Sequence, residues 1–109
     1  MTKLLDSIQE YLDHSHPHSQ EYHQAVSEVF DDVAELYGKE PAYQRWNIAE
    51  RMLEPDRIVR FRVCWEDDQG NVQVNRGWRV QFNNVLGAYK GGIRFDPSVN
   101  ESVLKFLGF

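Results

Sequence analysis

The chain has 109 residues, of which 41% are hydrophobic and 27% charged. That supports one folded core, excludes a disordered chain, and is too short for an enzyme with separate substrate and nucleotide domains. Residues 1–56 carry 12 acids and 4 bases, a net −8, whereas residues 57–109 carry 5 acids and 8 bases, a net +3. The acidic half argues against a nucleic-acid partner, while the basic half leaves room for an anionic ligand. A bland cause, acids on helix surfaces and arginines on strand faces, explains the split more simply when charge alone is considered.

The first half reads as helical. Leu4, Leu5, Ile8, Tyr11 and Leu12 recur at helical spacing. The run His14-Ser15-His16-Pro17-His18 ends that helix, because the residue before a proline is pushed out of the helical region. A second helix opens at Ser19 as N-cap, with Glu21 in the first turn. Its stripe is Tyr22, Ala25, Val26, Val29, Phe30, Val33, Leu36 and Tyr37, and Gly38-Lys39 suits its end. A short third helix begins at Asn47, with Glu50 completing a capping box, and stops at Pro55.

The period then changes to two. Val59, Phe61, Val63 and Trp65 alternate with Arg60, Arg62 and Cys64, which predicts a half-buried strand. Residues 66–71 form a turn in which Gly70 takes a positive φ. Val72, Val74, Trp78, Val80 and Phe82 form one face of a second strand, paired with the first as a hairpin. Residues 83–92 are a loop with three glycines. Ile93-Arg94-Phe95 is expected as a further short strand. Asp96 to Asn100 leads into a final helix capped by Ser98 or Asn100, with Val103, Leu104, Phe106 and Leu107 as its apolar face. That helix runs to Phe109, so a longer parent chain is expected. The fold class is α/β in the α+β-like sense, with a helical segment over 1–54 and the start of a second unit over 55–109.

Several groups bear on chemistry. His14, His16, His18 and His23 are metal-ligand types, but they straddle a helix break with no cysteine nearby, so a polar loop is the simpler reading and no metal is expected. Cys64, the single cysteine, excludes an internal disulfide and suits a reducing compartment. Lying on a strand, it is expected as a buried structural thiol. Arg60, Arg62, Arg76, Arg79 and Arg94 suit ion pairs with neighbouring strands or subunits. Phe61, Trp65, Trp78 and Phe82 suit a core better than a base-stacking platform. The loop Gly87-Ala88-Tyr89-Lys90-Gly91-Gly92 presents an ammonium beside accessible backbone N–H groups, which suits a carboxylate or a phosphate. It has neither the Walker spacing nor the dinucleotide fingerprint. Taken alone it also reads as a flexible loop with a solvated lysine. The start of the chain lacks a secretory signal and no apolar run reaches membrane-spanning length, so no membrane partner is expected and the cytoplasm is the expected location.

Two strings carry a resemblance: Val74-Asn75-Arg76-Gly77-Trp78-Arg79-Val80-Gln81-Phe82, and Gly87 through Phe95. With Pro97-Ser98-Val99-Asn100 and Lys105-Phe106-Leu107-Gly108-Phe109, they closely resemble the N-terminal domain of bacterial glutamate dehydrogenases. The resemblance is strong over 55–109 and looser over 1–54. It implies a parent that interconverts L-glutamate and 2-oxoglutarate plus ammonia with NADP or NAD, the NADP-dependent hexameric type being commoner among such relatives. It also implies self-association, here through strand edges and N-terminal helices. Lys90 would bind the side-chain carboxylate of glutamate, with Gly91 and Gly92 lining the pocket by backbone. Leucine, phenylalanine and valine dehydrogenases resemble the same family but have an apolar residue at the position of Lys90, so the lysine implies glutamate. Ala88 and Asp96 depart from the family's usual proline and histidine. The catalytic and cofactor residues would lie outside this chain, which is expected to be inactive alone. A stand-alone oligomerisation module is the alternative reading.

Overall fold

The computed structural model describes residues 2–109. The order is α1 (Thr2–Ser15), α2 (Gln20–Lys39), α3 (Pro41–Arg45), α4 (Ile48–Leu53), β1 (Arg57–Glu66), β2 (Val72–Gln81) and α5 (Glu101–Gly108). The helical spacing places Ile8 and Leu12 of α1 against Tyr22, Val26, Phe30 and Tyr37 of α2, with Ala49 and Leu53 of α4 closing the cluster. Phe82 and Phe109 reach this core from the second half of the chain. The α2 stripe is narrower than its apolar residues suggest. Ala34 is buried, while Leu36 is 62% exposed, because only about a third of a helix circumference can face a single neighbouring layer.

The helix ends follow local chemistry, with differences from the expected caps. Ser19 occupies the N-cap of α2 but its side chain makes no capping bond. Asn47 adopts a left-handed backbone, φ 50°, before α4. Its amide donates to the Glu50 carboxylate at 2.8 Å, so the two side chains bond each other rather than the backbone. The short α3 was not expected. Pro41 supplies a preset φ in its first turn and the Glu40 carboxylate accepts from the Ala42 N–H at 3.2 Å.

The hairpin is antiparallel and in full register from Arg57 opposite Gln81 to Glu66 opposite Val72. Its turn is built by Asp67, whose Oδ1 accepts from the N–H groups of Gln69 and Asn71 at 3.0 and 2.8 Å, with Gly70 at φ 82°. The register puts the two apolar rows on opposite faces. Val59, Phe61, Val63 and Trp65 face Arg79, Gly77, Asn75 and Gln73, whereas Val74, Trp78 and Val80 face Cys64, Arg60 and Ile58. Opposed residues share a face of the ribbon, so each face pairs an apolar row with a more polar one. At Gly77 an added Cβ would lie 2.3 Å from Phe61 Cε2, so the missing side chain is what seats the Phe61 ring.

The ribbon projects from the helical body. The radius of gyration is 17.2 Å and the extents are 60 × 28 × 20 Å, against about 13 Å for a compact chain of this length. That projection corrects three expectations. The strands are mostly exposed rather than half-buried. Cys64 is exposed rather than a buried thiol. Phe61 and Trp65 are about half-exposed rather than core residues. The cause is shared: a two-stranded ribbon covers neither of its own faces. The further strand at Ile93-Arg94-Phe95 does not form. These residues are irregular, and the sheet among the described residues consists of β1 and β2 alone.

Candidate functional site

The loop from 83 to 100 carries Lys90 between the end of β2 and the start of α5. Its near end is tied down by Tyr89, whose hydroxyl donates to Asp56 Oδ2 at 2.6 Å. That bond pushes the Tyr89 phenol above its ordinary range. Asp56 in turn donates its backbone N–H to the Phe82 carbonyl at 2.9 Å. Its far end is closed by Asp96, whose Oδ1 accepts from the Ser98 hydroxyl and N–H at 2.6 and 2.9 Å. These bonds hold the Asp96 carboxyl below the usual carboxylate range, with a smaller contribution from Arg94. Asn100 rather than Ser98 caps α5, accepting from the Val103 N–H at 2.9 Å.

Lys90 is exposed, and so are Gly91 and Gly92. An added Cβ at either glycine would meet open space. Beside them, Leu86 is 101%, Ile93 85% and Phe95 94% exposed. The loop therefore presents an ammonium, free backbone and bare apolar side chains on one stretch of surface. Two surface depressions lie away from this loop, one along Asp6, Gln9, Glu10, Asp13 and His14, and one between Pro17, Glu21 and Ser102.

The arginines do not form ion pairs within the described residues, where the pairs are His16–Glu54, His23–Asp13 and Lys39–Glu35. Arg62 stands directly opposite Arg76, which is unfavourable for like charges unless something outside the ribbon neutralises them. Arg57 instead donates from Nε to Gln81 Oε1 at 2.8 Å at the hairpin base.

The histidines separate. His14 and His18 are exposed, while His16 is buried, which corrects the reading of the whole group as a polar loop. Its burial follows from α5 packing over the bend between α1 and α2. His23 Nε2 donates to the His16 carbonyl at 2.6 Å and stabilises that bend. The His16 ring joins a polar chain that sequence reasoning missed. Lys105 Nζ donates to His16 Nδ1 at 2.8 Å, and His16 Nε2 donates to Glu54 Oε2 at 2.9 Å. Tyr11 donates to the same carboxylate oxygen at 2.6 Å. Burial first, then the Glu54 carboxylate, pushes the Tyr11 phenol up to about 12. Lys105 is only 2% exposed, with Nζ 5.2 Å from the Tyr22 ring centroid. Its burial lowers its proton affinity, against the pull of Glu101 and Glu54. So α5 lays Ser102 and Lys105 inward, while Phe106 and Leu107, expected on its buried face, are partly exposed. The only signal in the sequence was one lysine within an otherwise apolar turn.

Comparison with known proteins gives these features a context. The sequence pattern of the Glu/Leu/Phe/Val dehydrogenase dimerisation domain matches residues 55–109. The chain belongs to that family. It is 58% identical over 102 residues to the NAD-specific glutamate dehydrogenase of Porphyromonas gingivalis, covering 94% of this chain and 23% of that protein. It is 55% identical over 100 residues to the NADP-specific glutamate dehydrogenase of a Psychrobacter species, covering 92% of this chain and 22% of that protein. Among solved structures, a lysine-to-leucine mutant of glutamate dehydrogenase superposes with a TM-score of 0.90 at 43% identity, covering 96% of this chain and 23% of that one. Plasmodium falciparum glutamate dehydrogenase superposes with a TM-score of 0.89 at 42% identity, covering 97% and 22%. The chain thus spans under a quarter of the length of these relatives.

Proposed function

We propose that this chain is the N-terminal part of a glutamate dehydrogenase, an oxidoreductase that interconverts L-glutamate and 2-oxoglutarate plus ammonia. Its share of the task is self-association and one side of the substrate site. The observation that carries the reading is the Tyr-Lys-Gly-Gly loop, held at both ends, within a chain whose relatives are named glutamate dehydrogenases. Lys90 is the carboxylate-binding residue, and Gly91 and Gly92 line the same pocket through their backbone. An ammonium enclosed with a carboxylate discriminates by charge, because a substrate without that carboxylate leaves the cation unpaired at about 2–5 kcal/mol. The exposed ammonium and bare apolar neighbours fit a half-site that other parts of the full-length protein complete.

The redox step uses a nicotinamide nucleotide, which supplies hydride chemistry. Relatives of both NAD and NADP specificity match this chain, and this reading assigns the preference to residues beyond it. No Gly-x-Gly-x-x-Gly string occurs in the sequence, and none of the described residues is assigned to the nucleotide. Residues 1–54 act as a helical segment, and residues 55–109 as the start of the substrate-binding and dimerisation unit. The family match beginning at Pro55 supports that division. The apolar rows on both faces of the hairpin support contacts with further copies, and a homohexamer is the expected assembly.

In the full-length enzyme, Lys90→Ala raises the KM for glutamate by about 30-fold or more, from the lower end of the unpaired-charge cost. An unchanged KM refutes the role. The 109-residue chain mixed with glutamate and NADP or NAD shows no change in nicotinamide absorbance, and turnover by it refutes the half-site reading. Light scattering on the chain shows self-association. A strictly monomeric species at high concentration favours neither this assembly nor the stand-alone oligomerisation module.

A further inference from the structure

The Lys105–His16–Glu54 chain joins three parts of the molecule that are remote in sequence: α5, the bend after α1, and the end of α4. Its geometry sets its proton count. A charged Lys105 can only donate, so beside the ammonium His16 Nδ1 must be bare to accept from it, and the ring's single proton sits on Nε2, facing the Glu54 carboxylate. The chain then holds one cation, one neutral ring and one anion. We propose that this is a one-proton clamp: α5 stays docked on the helical body only while His16 Nδ1 is unprotonated, and a second proton on that ring releases it. With both ring nitrogens protonated, an N–H would face the ammonium across 2.8 Å, with Glu54 the one carboxylate bonded to the pair. Among the described residues the ammonium has no other hydrogen-bond acceptor, so it moves to water and takes its helix with it.

The groups around the ring agree with this. From α1, Tyr11 donates to Glu54 and remains a neutral phenol well beyond neutral pH. From α2, Tyr22 is a neutral phenol whose ring lies under the ammonium, and Glu21 accepts from the Ser102 hydroxyl. His23 donates from Nε2 to the His16 carbonyl, with Nδ1 3.8 Å from Asp13. Its Nε2 stays a donor in either charge state, so a proton on its Nδ1 faces a carboxylate and disrupts nothing. From α4 and the residue after it come Glu50 and Glu54, and from α5 Glu101 and Lys105. Among these, His16 is the group whose second proton meets a cation. Release of α5 also frees the far end of the loop that carries Lys90, since Asn100 is both the end of that loop and the cap of the helix. This inference does not depend on what Lys90 binds.

The test is hydrogen exchange of the Leu104 and Phe109 amides, which close α5 onto Asn100 and Lys105, measured on the chain from about pH 8 to about pH 5, the range in which imidazoles titrate. After correction for intrinsic exchange, protection falls by about tenfold per pH unit on the acid side, the slope for one linked proton. His16→Gln, which keeps an acceptor and a donor but does not titrate, removes that slope. Lys105→Met removes it too, because no ammonium opposes the ring. The same slope in His16→Gln would assign the effect to His23 or a carboxylate and overturn the proposal, as would a flat wild-type profile. Should either variant fail to fold, ring 15N shifts of the wild-type chain decide: the Nε2–H tautomer while α5 is protected supports the clamp, and a doubly protonated His16 beneath a protected α5 refutes it.

Discussion

Tyr22 is where the two halves of the chain meet, and removing one oxygen from it tests how they are joined. The side chain is fully buried. Its hydroxyl donates to the Leu53 carbonyl, one of the carbonyls that a helix leaves without an internal partner at its C-terminal end. Its ring lies 5.2 Å from His16, 5.9 Å from Phe82 and 5.8 Å from Phe109, centroid to centroid. Tyr22→Phe keeps every ring contact and deletes only the donor, leaving a buried carbonyl unsatisfied at about 1–3 kcal/mol. Tyr22→Leu also loses the aromatic contacts, each worth about 0.5–1.5 kcal/mol beyond area, and the cation–π contact with Lys105. The expected order of stability is therefore wild type, Phe, Leu, with the second step at least as large as the first. Urea unfolding followed by tryptophan fluorescence measures it, and an unchanged slope with denaturant shows that only stability moved. A Phe variant as stable as wild type would refute the claim that the hydroxyl closes the end of α4. A Leu variant equal to the Phe variant would refute the claim that the ring joins the halves.

Two further outcomes follow from the same contacts. The Tyr11 proton is held in the folded state up to about 12, above the ordinary phenol value of about 10. A raised folded value means that this contribution is complete below the unfolded value and lost as pH rises through the folded one. Tyr11→Phe therefore flattens the alkaline fall in stability between about pH 10 and about pH 12, and phenolate absorbance lacks a late-titrating step; an unaltered alkaline limb would contradict the Glu54 contact. Asn100→Ala removes the cap of α5 at about 0.5–2 kcal/mol, with accelerated exchange of the Val103 and Leu104 amides, while exchange in the α2 core stays slow. Loss of protection throughout the chain would show instead that α5 and the core unfold as one unit.

Much of the architecture is legible in local pattern. The 3.6-residue recurrence of Ile8, Leu12, Tyr22, Val26, Phe30 and Tyr37 identifies helices and their buried side, because that period brings those side chains to one face. The alternation from Val59 to Trp65 and the Asp-Asp-Gln-Gly turn identify the hairpin. The strings around Lys90 point to the family, and they do so without any help from packing. The site itself is less legible. The exposed loop depends on Tyr89 reaching Asp56, 33 positions away, and spacing along the chain carries no trace of such a contact.

The sequence alone determined the longer helices, the hairpin, the charge division between the halves and the lysine-glycine loop, because each follows from neighbours within a turn or two. Tertiary structure decided which faces those elements turn to one another. Hairpin register, not alternation, put the two apolar rows on opposite faces, since one residue of offset exchanges inside for outside. Packing of α5 over the bend, not its apolar residues, buried Lys105 and His16. A buried cation persists only where an acceptor is already in place, and here it is the ring at position 16, itself bonded to the carboxylate at position 54, brought together by folding. The short acidic chain is thus two kinds of half: an acidic helical core that satisfies its own interior, and a basic ribbon and loop whose apolar and cationic surfaces stay open.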